Sequence, residues 1–216
     1  MFPEERRKSI LQLLNKEGRC RVASLANKLS VSEVTIRMDL DVLEKQGLLR
    51  RTRSEGDTII LDVGTTVMEV ARHLVRHKNI TVVTNALNVA TLLENCPEIN
   101  VIVTGGKLRA TQHSLVNPYA NLILDKLYAD ITFIGASGID ARYGVTNVNI
   151  PEAEMKIGFI NASRRRILLA DSSKIGNVAQ AKVGKLEDFH LLITDNQAEP
   201  EQVRLLQVNG LPVDLV

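Results

Sequence analysis

Five short segments gather glycines, hydroxyls and cations in a pattern suited to holding an anion. They are Asp62-Val63-Gly64-Thr65-Thr66, Thr84-Asn85, Thr104-Gly105-Gly106 with Lys107 and Arg109, Gly135-Ala136-Ser137-Gly138, and Asp171-Ser172-Ser173-Lys174. Flexible backbone offers N–H groups to an oxyanion, threonine and serine add hydroxyl donors, and a helix that opens just after such a turn adds the positive end of its dipole. Each segment alone is equally suited to a turn or a helix cap. Together they favour a polar ligand that carries phosphate. A second cluster lies near the N-terminus, where Glu33, Thr35, Arg37 and Met38 alternate with Ile36, Leu40 and Leu43. A helix with that spacing buries its apolar residues and presents the others outward. Arg37 is then placed for a bidentate contact with a guanine edge.

The elements that must carry these groups differ between the two ends of the chain. Helical spacing of Ile10, Leu11, Leu13 and Leu14 marks a first helix, and Val22, Leu25, Ala26 and Leu29 a short second one. The third runs over Glu33 to Gln46, with Ser32 as its N-cap and Gly47 as its left-handed stop. Three short helices with a tight turn before the last form a helix-turn-helix, whose final helix enters the major groove. Arg50, Arg51 and Arg53 follow as a cationic strand that can lie along phosphates as a wing. The bland alternative is a three-helix capping domain with a solvated basic surface.

Beyond Gly56, β-branched runs alternate with helical stretches, the pattern of a mostly parallel sheet covered by helices. Strands are expected over 58–61, 81–83, 101–104, 131–134, 167–170, 191–194 and 213–216, and helices near 67–77, 86–94, 121–127, 152–162 and 201–208. Strand order is not readable from this alternation. Ligands in such sheets bind beyond the carboxyl ends of the strands, where all five polar segments fall.

The run Leu25-Ala26, Val31 through Leu40, Leu43-Glu44 and Gly47-Leu48-Leu49-Arg50 resembles the DNA-binding segment of the DeoR family of bacterial transcriptional regulators. Met38 departs from it, standing where the family usually carries a second arginine. The wing tip and the linker helix of roughly thirty residues that follow it in the family have no counterpart after Arg51. The resemblance continues through Leu61 to Thr66, Val83-Thr84-Asn85, Thr104-Gly105-Gly106, Gly138-Ile139-Asp140 with Gly144, and Ala170 to Lys174. Asn117 departs from the glycine common there.

This resemblance implies an α/β fold in two parts. A winged helix-turn-helix domain over residues 1–55 precedes a Rossmann-like, ribose-5-phosphate isomerase/CoA transferase-like effector-sensing domain over 56–216. It also implies a repressor of sugar metabolism that binds a double-stranded DNA operator and a phosphorylated sugar as a homodimer or homotetramer. The implied DNA-contacting set is Ser32, Glu33, Thr35, Arg37, Met38, Arg50, Arg51 and Arg53. For the effector, Gly64, Thr65 and Thr66 are implied at the phosphate, Asp62, Asn85 and Glu152 at hydroxyls, and Lys174 near the phosphate or a carbonyl. Thr84, Thr104, Gly105, Gly106 and Gly135 complete the expected site.

Composition agrees with this division and excludes several classes. Residues 1–56 hold 12 Lys+Arg against 8 Asp+Glu, and the remainder 15 against 17, so a small basic part precedes a slightly acidic one. At 3% aromatic and without tryptophan, the chain has few rings for stacking single strands. No apolar run approaches the ~18 residues that span a bilayer, and the charged start MFPEERRKSI is unlike a secretory signal. Cys20 and Cys96 give neither a disulfide framework nor a zinc spacing, so a cytoplasmic protein is expected, without membrane contact, metal or cofactor. The rival reading is a sugar-phosphate isomerase or deaminase, for which Asp62, Asp140, Glu152 and Lys174 are raw material. No histidine sits in the Gly138 to Arg142 loop to pair with them. His73 and His77 are spaced for a shared metal but read better as a surface helix face, and Arg164 to Arg166 as cations complementing a helix end.

Overall fold

In a computed structural model the described residues are 3–17, 20, 22–45, 48, 49, 57–116 and 119–216. The chain divides into two compact units, Met1–Ser54 and Glu55–Val216.

The first unit is built from α1 (Pro3–Glu17), α2 (Val22–Leu29) and α3 (Glu33–Lys45). Pro3 starts α1 where its missing N–H has no cost, and Glu4 and Glu5 complement the positive end of that helix. Ile10, Val22, Leu25, Ala26, Ile36, Leu40 and Leu43 close a single core. Ser30 adopts a left-handed φ of 54° in the turn between α2 and α3. Ser32 Oγ then accepts the Thr35 N–H at 3.1 Å, the cap expected for α3. At the other end Leu48 N–H returns to the Leu43 carbonyl at 3.0 Å, while Gly47 lies outside the described residues. Asp39, buried on α3, accepts from Arg6 and, at 3.0 Å, from Arg7, so α1 clasps α3 through a charge that sequence reading did not single out.

The second unit centres on a parallel sheet of β1 (Thr58–Leu61), β2 (Ile80–Thr84), β3 (Ile99–Val103), β6 (Ala129–Gly135), β9 (Ser163–Leu169), β11 (Leu191–Thr194) and β12 (Val213–Leu215). Two smaller antiparallel sheets lie beside it, a β4 (Lys107–Arg109) and β5 (Ser114–Val116) hairpin and a trio of β7 (Gly138–Asp140), β8 (Gly144–Asn147) and β10 (Ala181–Gly184). The main sheet has the order β12-β11-β9-β6-β1-β2-β3. Central β1 pairs with β2 through Ile60 and Val83 and with β6 through Ile60 and Thr132.

Helices cover both faces, which explains why β1 reads as an unbroken apolar run rather than an alternating one. Ile59 and Leu61 pack with α4 (Thr65–Leu74) and α5 (Leu87–Leu93). Ile60 faces the opposite cluster, to which α6 (Ala120–Leu124), α7 (Ile150–Asn161) and α8 (Pro200–Val208) contribute Leu124, Phe159 and Leu206.

The seven expected strands and five expected helices all occur, with ends displaced by a few residues. The short strands β4, β5, β7, β8 and β10 were not anticipated. Arg164 to Arg166 follow the end of α7 at Asn161, as expected, but they lie within strand β9. Arg166 donates there to the Asp188 carbonyl and Arg164 lies 3.7 Å from Asp130.

Candidate functional site

The chain leaves β1 to build β2 and β3 on one side, then returns to build β6, β9, β11 and β12 on the other. The sheet therefore reverses its order between β1 and β6, and a crevice opens beyond the carboxyl ends of strands at such a switch. A cleft of about 290 Å³ lies there, lined by Val63 to Val67 after β1, Gly135 to Ser137 after β6, and Leu169 to Asp171 with Lys174 after β9. Gln112, Asn147, Val148, Glu152 and Lys156 complete its wall.

The β1 loop gives the cleft its anion-binding character. Gly64 is the N-cap of α4 at φ 137°, a conformation that side-chain-bearing residues rarely adopt, and no side chain caps this helix. The first ladder bond, Met68 N–H to Gly64 O at 2.9 Å, leaves the preceding N–H groups of the first turn without helical partners. Thr65 and Thr66 are exposed beside them and add their hydroxyls. Backbone donors, hydroxyls and the positive end of the helix dipole thus lie together along one part of the cleft wall. Lys174 stands at the rim, 3.1 Å from Ser173 Oγ and 3.7 Å from Asp171. The Ser173 hydroxyl, and to a lesser degree the Lys174 charge, holds the Asp171 carboxyl below its ordinary range.

A chain of polar contacts forms the opposite wall. Asn149 caps α7 by accepting the Glu152 N–H at 3.0 Å, which fixes Glu152 in the first turn. Ser137 Oγ bonds Asn147 Oδ1 at 3.0 Å, and Asn147 Nδ2 donates to Glu152 Oε2 at 2.9 Å. Arg109 Nη1 pairs with Glu152 Oε1 at 2.7 Å, so the buried carboxylate is held between an amide and a guanidinium.

Beneath the cleft, Lys156 on α7 pairs with Asp62 and donates to the Gly135 carbonyl at 3.0 Å, while Asp62 accepts the Gly135 N–H at 3.0 Å. Asp62 thus ties the β1 and β6 loops together. A Cβ on Gly135 would lie 3.2 Å from the Val63 carbonyl oxygen, a tight contact that would push the two loops apart by a few tenths of an ångström.

Of the expected effector residues, Gly64, Thr65, Thr66, Gly135, Glu152 and Lys174 line the cleft, and Asp62 lies behind it. Thr84, Asn85, Thr104, Gly105 and Gly106 do not, because β2 and β3 lie on the far side of β1 from β6. Thr84 Oγ1 donates to the Leu61 carbonyl at 2.7 Å and accepts from Ala86 N–H, and Asn85 Nδ2 donates to the Leu115 carbonyl at 3.2 Å. Gly106, at φ 125°, packs where a Cβ would meet the Val116 carbonyl at 2.4 Å. Asn85 and Gly106 thus hold the β4–β5 hairpin, and Thr84 ties the end of β2 to β1.

Ser137, in the fourth polar segment, joins the wall, whereas Lys156, Asn147 and Gln112 were not singled out as wall residues. Lys156 had left a signal, since it shares a helix face with Glu152, Phe159 and other buried positions. Among the described residues no group of three or more His, Cys, Asp or Glu could hold a metal, and His73 Nδ1 lies 2.8 Å from the Glu69 carbonyl. No helix among them is long and apolar enough to cross a membrane.

On α3 of the first unit, Ser32 and Thr35 share a hydroxyl contact at 2.8 Å, so both take part in capping. Glu33 and Met38 are exposed on the same helix. Arg37 lies on α3, though its side chain, like Arg50, Arg51 and Arg53, falls outside the described residues.

A three-helix reading head in one unit and a polar crevice at a sheet switch point in the other define a helix-turn-helix transcriptional regulator with a sensor domain. The chain belongs to the DeoR family: residues 6–54 match the DeoR-like helix-turn-helix domain and residues 52–196 the DeoR C terminal sensor domain. It is 29% identical to the HTH-type transcriptional regulator GolR of Listeria innocua, over 100% of this chain and 99% of that protein. It is 28% identical to the glycerol-3-phosphate regulon repressor of Escherichia coli, over 96% of each. The alignment with GolR spans 252 positions against 216 residues here, so that relative carries a stretch this chain lacks. Among solved structures, a D-ribose-5-phosphate isomerase in complex with phospho-erythronic acid is similar over 62% of this chain and 50% of its own, at 15% identity and TM-score 0.41. The curated relatives are named as regulators, and this chain is a DNA-binding transcriptional regulator rather than an enzyme.

Proposed function

We propose that the protein is a cytoplasmic repressor of a sugar-utilisation operon whose operator affinity is set by a phosphorylated sugar bound in the cleft. The observation that carries this reading is the uncapped start of α4, where Gly64, Thr65 and Thr66 open onto a cavity otherwise walled by carboxylate, amide and hydroxyl groups. The phosphate lies against that helix start with Lys174 at its edge. The sugar hydroxyls meet Glu152, Asn147 and Ser137, and Asp62 acts from behind through Lys156 and Gly135. A volume of about 290 Å³ suits a compact ligand, at the low end of the usual ~300–1,000 Å³ range for small-molecule sites. The relative named for a glycerol-3-phosphate regulon is in keeping with a phosphorylated effector.

The DNA-reading domain corresponds to residues 1–55 and the effector domain to 56–216. Ser32, Glu33, Thr35, Arg37 and Met38 meet the groove, and Arg50, Arg51 and Arg53 meet phosphates. One small helix-turn-helix covers little DNA, so two or four copies act together on repeated half-sites. A thermal-shift panel of pentose, hexose and triose phosphates beside their unphosphorylated parents tests this reading. A ligand that binds only the native state raises the melting temperature. Stabilisation confined to phosphorylated members is expected, and equal effects of the free sugars would refute the phosphate site.

A further inference from the structure

We propose that Val34 and Met38 read thymine 5-methyl groups in the major groove, giving the operator an apolar half to its code. The inference rests on α3 being the DNA-reading helix. Val34 is 67% and Met38 66% exposed, the two largest exposures of apolar side chains described in this unit. Four residues apart on α3, they lie on one helix face, while Ile36, Leu40 and Leu43 occupy the core side.

Between them in sequence, Thr35 has its hydroxyl turned back to Ser32 at 2.8 Å, so this polar group is already engaged in the cap. Val34 and Met38 themselves offer only aliphatic and thioether surface to a partner, in a stretch of α3 that also carries Arg37 and Asp41. Its unit carries 12 Lys+Arg against 8 Asp+Glu over residues 1–56, which favours a polyanion over an apolar protein partner. Duplex DNA offers one apolar feature in the major groove, the thymine methyl group, and an unbranched thioether adapts readily to it.

The spacing adds a prediction. Four helical residues rise about 6 Å, and base pairs are stacked about 3.4 Å apart. The two methyls therefore belong to thymines no more than about two base-pair steps apart, on either strand.

The test selects a preferred duplex from a randomised library with the intact protein, then replaces each thymine of the half-site by deoxyuridine, which removes only the methyl. Each substitution at a read position should weaken binding about fourfold, the effect of losing one buried methyl-sized group. That sensitivity should vanish at one position in Met38→Ala and at the other in Val34→Ala. Both variants should melt like the parent, because these side chains lie outside the core. Uridine duplexes that bind as tightly as thymine duplexes would overturn the inference while leaving the DNA-reading role intact. So would undiminished uridine sensitivity in both alanine variants. Failure to enrich any sequence would overturn the DNA-reading role and this inference with it.

Discussion

Lys156, in the middle of α7, and Asp62, at the end of β1, form an ion pair in which both side chains are at most 3% exposed. Through it a helix on one face of the sheet is fixed to the turn that opens α4 on the other. Removing one partner of such a pair strands a buried charge, whereas replacing both by apolar groups is often tolerated. Asp62→Ala should therefore lower stability by about 3–5 kcal/mol, measured by urea unfolding, and Asp62→Leu with Lys156→Met should recover much of the loss. A single-variant loss below about 1 kcal/mol, the worth of an exposed pair, would show that the charge is solvated.

The helix start can be tested without disturbing the core. Thr65→Val with Thr66→Val removes two hydroxyls from exposed positions and leaves Val67, Ala71 and Leu74 buried beneath. Calorimetry should show sugar-phosphate affinity reduced by roughly tenfold or more, since hydrogen bonds to charged groups are each worth ~1.5–3 kcal/mol. The melting temperature without ligand should be unchanged. Undiminished affinity would remove these hydroxyls from the site.

At the DNA-reading end, Arg37→Ala should relax base preference at one position by about 1–3 kcal/mol. Arg50→Ala or Arg51→Ala should instead weaken binding to all sequences and lower the salt slope by about one for each phosphate that is no longer neutralised. Competition binding across a set of variant duplexes at several salt concentrations separates the two behaviours. An unchanged ranking of sequences in Arg37→Ala would exclude it as a base reader.

Acid sensitivity at the cleft rim has a definite sign. The Ser173 hydroxyl first, and then Lys174, hold the Asp171 carboxyl below its ordinary range in the folded chain. A depressed folded value means that the carboxylate contributes stability above the unfolded-state value of about 3.9, and that the contribution is lost as pH falls through the folded value. Asp195, lowered mainly by the Ser172 backbone N–H, acts in the same direction beside it. Carboxyl carbon NMR should show Asp171 titrating below ordinary aspartate and moving up in Ser173→Ala. A titration at the ordinary value in the parent protein would contradict this.

The sequence carried the elements better than it carried their arrangement. Apolar runs such as Thr58 to Leu61 and periodic stretches such as Leu87 to Leu93 are local, so the main strands and helices were legible. The three-residue strands β4, β5 and β7 have too few positions for any period to emerge. Which polar turns share a cleft depends on strand order, a product of long-range packing. Gly64 and Gly106 therefore look alike in sequence, although one opens a helix onto a cavity and the other packs against the Val116 carbonyl. Lys156 was legible in principle, as a cation four residues from Glu152 on the helix face that also carries Phe159.

Ligand in the cleft is expected to change the protein's affinity for DNA. Fluorescence anisotropy of the intact protein on its selected duplex, with and without a saturating sugar phosphate whose binding is verified by calorimetry, measures it directly. A coupling of about 1–3 kcal/mol should shift the operator Kd roughly 5- to 150-fold, and the shift should disappear in the Thr65→Val, Thr66→Val protein. An identical Kd for ligand-free and ligand-saturated protein would contradict the claim, because a ligand without differential affinity for two states moves no equilibrium between them.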